Sequence, residues 1–588
     1  MQPMTIASAS PRFCVREVPF SLSGSWLDLS CVIAEKTVVD DVHLISHQGG
    51  FHPVLRFVPT SRGARALVGV AATPASLTWS NDEGQIEAAW QSPDTVRVTG
   101  RGLDLAISAA DPVLTPFSGS YFFRDPVCDA YVLTSYQTGR RYRVTLLAGG
   151  VCRSTGVESV GGADRGLVIG GDLWEVAIEE FDSARPEYHA CSTFQEVVAA
   201  STAAFGAFLA EVAPWRDDST PAAALAAYVL WSATVRPAGL LSRPTVLMSK
   251  HWMDKLWSWD HCFTALALAG VPALAWDQFL TPFDHQDGAG SLPDSVTHSE
   301  VLYNFVKPPV HGWALARLRQ DAPHRDPETL RDVYRRLSAW TEFWLTSRRA
   351  PGRSLAHYQH GNDSGWDNAS TFDRGRVVET ADLAAFLVLQ LRELAALAAE
   401  LGLPDAVTRW GREADLMLAA LLGELWRDGY FVTRGVLSDQ TWTSHSLLDL
   451  MPIVLGELLP PAVSARLAER IAGHLTEHGL ATEHPDSTQY RSDGYWRGPV
   501  WAPVTVLIED GLRRAGHRQL ADEISRRFRA MCERAGFAEN FDAHTGAGQR
   551  DLAYTWTASA YLLLARAARA AASGCQVHGR EAVVDLRT

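Results

Sequence analysis

The feature that most limits what this chain can fold into is a change of period near residues 183–195. Before it, short alternating runs such as VRVTG, YVLTSYQ, YRVTLLAGG and WEVAIEEF are broken by Gly, Ser, Asp and Pro, which is the pattern of strands at β-sandwich spacing. After it, TFQEVVAASTAAFGAFLAEVA opens a series of long Ala- and Leu-rich segments with helical periodicity. With 588 residues the chain also exceeds what one hydrophobic core supports. Two periods predict two domains: an N-terminal β-sandwich over 1–190 and a helical domain over 191–588.

Helical patterns lie near 193–213, 221–236, 260–270, 272–282, 310–320, 327–348, 379–402, 405–427, 443–458, 461–475, 499–514, 517–535 and 551–572, roughly twelve helices in all. Turns of two or three residues, such as Gly402-Leu403-Pro404, force antiparallel neighbours. Six longer connections remain, near 237–259, 284–309, 349–378, 428–442, 476–498 and 536–550. If six helical hairpins close in a ring, all six connections emerge at one end and converge on one pocket. The expected fold is therefore mainly α with a β domain, an (α/α)6 barrel preceded by the sandwich. An open α-solenoid is the weaker alternative, since no fixed-period self-similarity is visible.

The formal charge of -14, with no local Lys/Arg run, opposes binding to nucleic acid. The start of the chain has no basic segment followed by an apolar core, and no stretch reaches about 18 uninterrupted apolar residues, so a cytoplasmic protein without a membrane span is expected. Eight scattered cysteines without a C-x-x-C pair read as reduced thiols, and no Cys/His cluster has zinc spacing; neither metal nor cofactor is expected. Nothing in the sequence speaks to oligomeric state.

Sixteen of the 20 tryptophans fall from Trp215 onward, and many sit beside acids in the long connections. In KHWMDKLWSWDHCF, Trp252, Trp257 and Trp259 crowd around Asp254 and Asp260; an indole face suits the C–H surface of a pyranose while a carboxylate accepts from its hydroxyls. Core packing is the competing reading for any single Trp. The second connection, FDHQDGAGSLPD, offers Gln286, Asp287 and Asp294 among glycines, or is a plain surface loop. The third, YQHGNDSGWDNAST, has two candidate acids, Asp363 and Asp367, around Trp366; a carboxyl against an indole stays protonated, but Asp in such loops equally often caps a turn, and the residues alone do not choose between them. The fifth, QYRSDGYWRGPVW, carries aromatics with Arg491 and Arg497, and the sixth, FAENFDAHTG, carries Glu539 and Asp542. Cleaving a glycosidic bond takes two carboxyl groups on opposite sides of it, and connections three and six would face each other across the ring.

Between about 250 and 560 the chain resembles the inverting α-glycosidases that include processing α-glucosidase I and the mannosylglycerate and glucosylglycerate hydrolases (glycoside hydrolase family 63-like), with trehalase more distant. The resemblance is carried by Trp257–Phe263 (WSWDHCF), Pro308–Trp313 (PPVHGW), Ser364–Asn368 (SGWDN), Tyr495–Trp501 (YWRGPVW), ENFDAHTG from Glu539, and Tyr554–Ala558 (YTWTA, with Trp556). It implies that Asp367, rather than Asp363, is the general acid and Glu539 the general base. It also implies that Trp257, Asp260 and Gln286 hold the sugar and that Trp496 and Trp501 wall the pocket; Trp259, Trp366, Arg497 and Trp556 complete the expected substrate-binding set. Asn540 stands where a Tyr is frequent in the family, and GSLPDS replaces a commoner Pro-His ending of the second connection; both bear on the leaving-group side.

The expectation is an inverting hydrolase of a small α-glucoside, with carboxyl groups about 6.5–9.5 Å apart to leave room for the attacking water. A trehalase or debranching-type α-1,6-glucosidase on the same barrel is the nearest rival. A sugar epimerase would depend on a His pair, and His311 and His445 do not form an obvious one. A silent sugar-binding protein is disfavoured by the presence of both acids. Lys250, Lys255, Arg491 and Arg497 are candidates for holding a glycerate carboxylate.

Overall fold

The computed structural model describes residues 10–111, 113–323 and 326–572. The N-terminal part is an antiparallel, curled β-sheet. Its neighbour order is Leu27–Ala34, Thr37–Ser46, His52–Ser61, Asp104–Ala109, Gly166–Phe181, Thr95–Arg101, Gln85–Ser92, Leu77–Ser80 and Gly69–Ala72. The curl centres on Gly166–Phe181. Along one edge, Gly166–Ile169 pairs with Leu105–Ser108 while Trp174–Glu179 pairs with Thr95–Gly100; the opposite edge pairs with the long strand Arg140–Thr155. A strand that serves two neighbours on one edge must bend between them. Gly170 and Gly171 sit at that bend: a Cβ on Gly170 would collide with the Asp104 carboxylate, and Gly171 has φ +134°.

Twelve α-helices follow among the described residues: α1 (Phe194–Val212), α2 (Ala223–Ala233), α3 (Asp260–Ala267), α4 (Pro272–Leu280), α5 (His311–Asp321), α6 (Pro327–Thr346), α7 (Ala381–Glu400), α8 (Pro404–Ala420), α9 (Pro461–Gly473), α10 (Ala502–Arg514), α11 (Arg518–Ala535) and α12 (Thr555–Ala572). Their starts follow local chemistry. Thr193 and Glu196 form a capping box on α1, and Asp326 caps α6 ahead of Pro327. Gly402, at φ +70°, turns the chain from α7 into α8. The stretch expected as a helix over 443–458 is instead a tightly wound 3-10 segment, Leu447–Leu458, because Pro452 removes an amide donor and Gly456 breaks the winding at φ +57°.

Helix α3 packs on α5, α5 on α7, α7 on Leu447–Leu458, that segment on α10, α10 on α12, and α12 back on α3. Helices α4, α8 and α11 lie against α3, α7 and α10, and α6 also packs on α7. The helices in this succession bury broad apolar faces: α7 alone buries Leu383, Phe386, Leu387, Val388, Leu391, Leu394 and Leu397.

The sheet is pinned to the helical part through α2 and the connection after it. The Gly24 amide donates to Thr234 O at 2.8 Å, Trp26 Nε1 donates to Arg236 O at 3.0 Å, and the buried Lys250 ammonium donates to Ser21 Oγ at 2.8 Å and Ser25 O at 2.6 Å. Deeper in the same seam His47 Nε2 meets Asp28 Oδ2 at 2.6 Å, with Asp254 on the far side of the ring. Among the described residues no helix is long and apolar enough to cross a membrane. Cys14, Cys31, Cys128, Cys152, Cys191, Cys262 and Cys532 are free thiols, and Cys575 lies outside the described residues.

Candidate active site

The polar residues of interest lie at or just ahead of the N-terminal ends of α3, α5, α7, α10 and α12. Asp260 is the first residue of α3; Asp294 and Lys307 precede α5; Asp367 precedes α7; Tyr495 and Trp496 precede α10; Glu539, Arg550 and Asp551 precede α12. Their fields show that they converge. Asp294 and Asp367 both act on Asp260, Asp367 acts on Glu539, and Glu539, Asp367 and Asp260 all act on the Tyr495 phenol. Two cations lie within this group: Lys307, whose Nζ is 3.0 Å from Asp294 Oδ1 and donates to Asn362 O at 3.0 Å, and Arg550, whose guanidinium is 4.9 Å from the Tyr495 ring centre.

The geometry separates the two candidate acids of the third connection. Asp363 is fully engaged: Oδ2 accepts from Arg348 Nη1 at 2.7 Å and from the amides of Gln359 at 2.8 Å and His360 at 3.3 Å, while Oδ1 accepts from the Val306 amide at 3.2 Å. It organises the loop. Among the described residues no side-chain donor reaches the Asp367 carboxyl, whose pKa is raised by burial and by Asp294, against the opposing Lys307 and His360. Gly365, at φ +74°, lies against the Trp259 ring, where any Cβ would collide.

Glu539 is 2 % exposed and its Oε2 has no protein partner. Burial pushes its pKa up to about 8, the Asp551 and Asp367 charges add to this, and Arg550 and Lys36 oppose it. Burial likewise pushes Asp260 up to about 8, helped by Asp294 and Asp367 and opposed by Lys307. Its Oδ2 is also without a partner. The half-buried Tyr495 phenol is held well above its ordinary range by desolvation and by the charges of Glu539, Asp367 and Asp260, and remains an O–H donor. Tyr495 has φ +63°, a left-handed conformation that is uncommon for a bulky residue, and its carbonyl accepts from Trp501 Nε1 at 2.9 Å.

The aromatic residues beside these carboxyls pack as one unit. Trp496 and Trp501 stack with ring centres 4.0 Å apart and planes 7° apart; Trp366 lies 4.8 Å from Trp496, Trp556 lies 5.3 Å from Trp501, and Trp259 touches both Trp496 and Trp556. All five are at most 5 % exposed. Trp257 is half-buried, with the Lys255 ammonium 5.4 Å from its ring centre. Asn368 ties the third connection to the fifth: its Oδ1 accepts from the Trp496 amide at 3.0 Å and its Nδ2 donates to Gly494 O at 3.0 Å.

Two of the sequence-derived candidates have their donors occupied by protein. The Arg497 guanidinium donates to Asn368 O at 2.7 Å and also engages Asp373 and Gln489. The Gln286 amide donates to Gly290 O at 2.9 Å and Arg336 O at 3.0 Å. In turn, sequence reasoning passed over Tyr495, Lys307, Arg550 and Asp551. The first lies inside YWRGPVW, Lys307 directly precedes PPVHGW, and Arg550 and Asp551 fall between two recognised motifs, so proximity to motifs was the available signal. Asp551 accepts from Ser249 Oγ at 2.5 Å and meets His251 Nδ1 at 2.9 Å, and its carbonyl accepts from the Glu539 amide at 2.7 Å. Among the described residues no group of three or more His, Cys, Asp or Glu side chains is placed to hold a metal ion.

Residues 253–557 match the family model described as the mannosylglycerate hydrolase MGH1-like glycoside hydrolase domain. The mannosylglycerate hydrolase of Thermus thermophilus is 24 % identical over 393 residues, covering 53 % of this chain and 94 % of that protein. In fold, the crystal structure of a family 63 mannosylglycerate hydrolase from Thermus thermophilus in complex with glucose aligns with TM-score 0.51 at 22 % identity, over 58 % of this chain and 99 % of the other. A bacterial glucoamylase complexed with acarbose aligns with TM-score 0.64 at 10 % identity over 95 % of each chain, so this fold likeness extends through the N-terminal sheet.

Proposed function

Because this chain belongs to the mannosylglycerate hydrolase MGH1-like glycoside hydrolases, we propose that it hydrolyses a small α-glucoside with inversion, Asp367 acting as general acid and Glu539 as general base. The substrate class is an α-linked di- or oligosaccharide or a glucosylglycerate-like compound. The observation that carries this reading is that two desolvated carboxyl groups from separate connections, Asp367 and Glu539, both bear electrostatically on the Tyr495 phenol, and Asp367 on Glu539. Asp367 delivers its proton to the glycosidic oxygen; Glu539 takes a proton from water on the opposite face; one displacement follows. Asp260, with an open carboxyl oxygen, and half-buried Trp257 are the sugar-holding pair, and the other indoles keep water out from behind.

The succession of contacts from α3 to α12 and back supports reading the helical part as an (α/α)6 barrel with the six long connections at one end. On the same reading the curled sheet is a sandwich-type domain over 1–190, and 191–588 is the catalytic domain.

The direct test is proton NMR of freshly released sugar from kojibiose, nigerose, trehalose, isomaltose, glucosylglycerate and mannosylglycerate. Initial β-anomer from one of them is the expected result; initial α-anomer refutes inversion.

The pH dependence follows from the same two groups. The productive form has Asp367 protonated and Glu539 ionised, and both pKa values are displaced upward, Glu539 to about 8. We expect kcat/KM to be bell-shaped with both limbs displaced above the usual carboxylate range, because protonation of Glu539 removes activity on the acid side and ionisation of Asp367 removes it on the alkaline side, the two apparent values belonging to the coupled pair. A profile already falling through pH 5 would contradict this assignment.

A further inference from the structure

A separate cavity of about 500 Å³ opens where the N-terminal sheet meets the helical part, within the roughly 300–1,000 Å³ range of small-ligand sites. On one side it is lined by Arg16 and by Lys36 and Val38 from the hairpin that joins Leu27–Ala34 to Thr37–Ser46. On the other lie His251 and Trp252, from the connection ahead of α3, and Arg550, from the one ahead of α12. It adjoins the catalytic group. Lys36 and Arg550 both act on Glu539, and Arg550 donates to the side chain of the neighbouring Asn540 at 2.9 Å.

The lining says what chemistry fits. Each of its three cations already faces a carboxylate: Arg550 on Asp493 at 2.7 Å, Arg16 on Asp40 at 3.0 Å, and Lys36 on Glu35 at 3.8 Å. Balanced pairs attract no net anion, and Asp493, which lines the cavity beside Arg550 and the Gln549 amide, sets a carboxylate acceptor next to N–H donors, as vicinal hydroxyls require. Trp252 is half-buried, with its ring 5.8 Å from that of His251 and nearly parallel at 18°, and it adds a flat apolar surface for the C–H face of a sugar. His251 is 1 % exposed; its Nδ1 is held by Asp551 Oδ1 at 2.9 Å, and its Nε2 has no protein partner. A buried polar atom so placed is unfavourable until a ligand group meets it.

We infer that this cavity is a further sugar subsite, formed jointly by the N-terminal sheet and the helical part, that takes an uncharged glycosyl unit of an α-linked oligosaccharide longer than a disaccharide. The inference rests on the reading of Asp367 and Glu539 as a glycosidase pair.

The test compares kcat/KM for di- and trisaccharides of matched linkage (maltose and maltotriose, isomaltose and isomaltotriose, kojibiose and kojitriose) in wild type, Trp252→Ala and the Arg16→Ala/Lys36→Ala double variant. Calorimetric binding of the same sugars and of glucosylglycerate to the Asp367→Asn protein runs beside it, and thermal melts confirm that the variants fold. A trisaccharide preference of about tenfold that collapses toward one in either variant is expected. A ratio near one in wild type, or a preference unchanged in both variants, overturns the subsite. So does glucosylglycerate binding more tightly than every trisaccharide. If wild type cleaves none of these sugars, binding decides. A trisaccharide bound more tightly than its disaccharide, and weakened by Trp252→Ala, keeps the subsite while the reading of an α-linked glucose oligosaccharide as the substrate falls; equal or absent binding overturns the subsite.

Discussion

In Asp367→Asn, kcat on the natural type of substrate will fall by about a thousandfold, the loss typical of removing a general acid, while the thermal midpoint stays close to that of wild type. Stability is spared because no side-chain donor loses its partner when the charge is removed, and burial already disfavours the ionised form. An α-glucosyl fluoride, whose leaving group needs no proton, should recover most of the rate in this variant. It should not do so in Glu539→Gln, where the missing function is activation of water. Equal recovery in the two variants would reverse or abolish the assignment of acid and base.

Asp363→Ala, four residues away, should do the opposite. Its carboxylate is buried against Arg348 and takes three backbone amides, so removing it leaves the guanidinium and those donors without an acceptor. A loss of about 3–5 kcal/mol is expected for breaking such a pair, read as a shift in the urea midpoint, with activity lost in proportion to unfolding. If Asp363→Ala unfolds like wild type but is inactive, the loop has been assigned the wrong acid.

This contrast marks the limit of what the sequence revealed. Composition and turn chemistry left Asp363 and Asp367 equivalent, and only the family resemblance separated them; the difference between them is a set of partners, Arg348 and the amides of Val306, Gln359 and His360, that become neighbours only on folding. Helical hairpins were legible because a 3.6-residue period and a short Gly-Leu-Pro turn are local properties. The tighter winding of Leu447–Leu458 was not read, although Pro452 and Gly456 were visible, because apolar periodicity does not distinguish windings of similar period. In the N-terminal part the strands were legible but their partners were not: nothing local says that Gly166–Phe181 changes neighbours at Gly170 and Gly171. Tryptophan content pointed to the connections that carry Asp367 and Glu539, yet five of the six candidate indoles are packed against one another, and periodicity is silent on which face of a ring is bare. Lys36 could not be anticipated at all, because its relation to Glu539 depends on how the sheet sits on the helices.

The closure of α12 on α2 and α3 has a consequence for biosynthesis. The Thr555 amide donates to Met248 O at 2.9 Å, and Ser249 and His251 reach Asp551, so the two strands of chain that meet at Glu539 are some 300 residues apart in the sequence. Contacts of such separation form late, after the intervening hairpins have closed a long loop. A nascent chain on the ribosome thus has its sheet and most of its helical segments synthesised while Glu539, the proposed base, is still missing. On the proposed assignment, the acid–base pair is complete only once the segment beyond residue 535 has docked, and α12 closes the succession of helices in the same event.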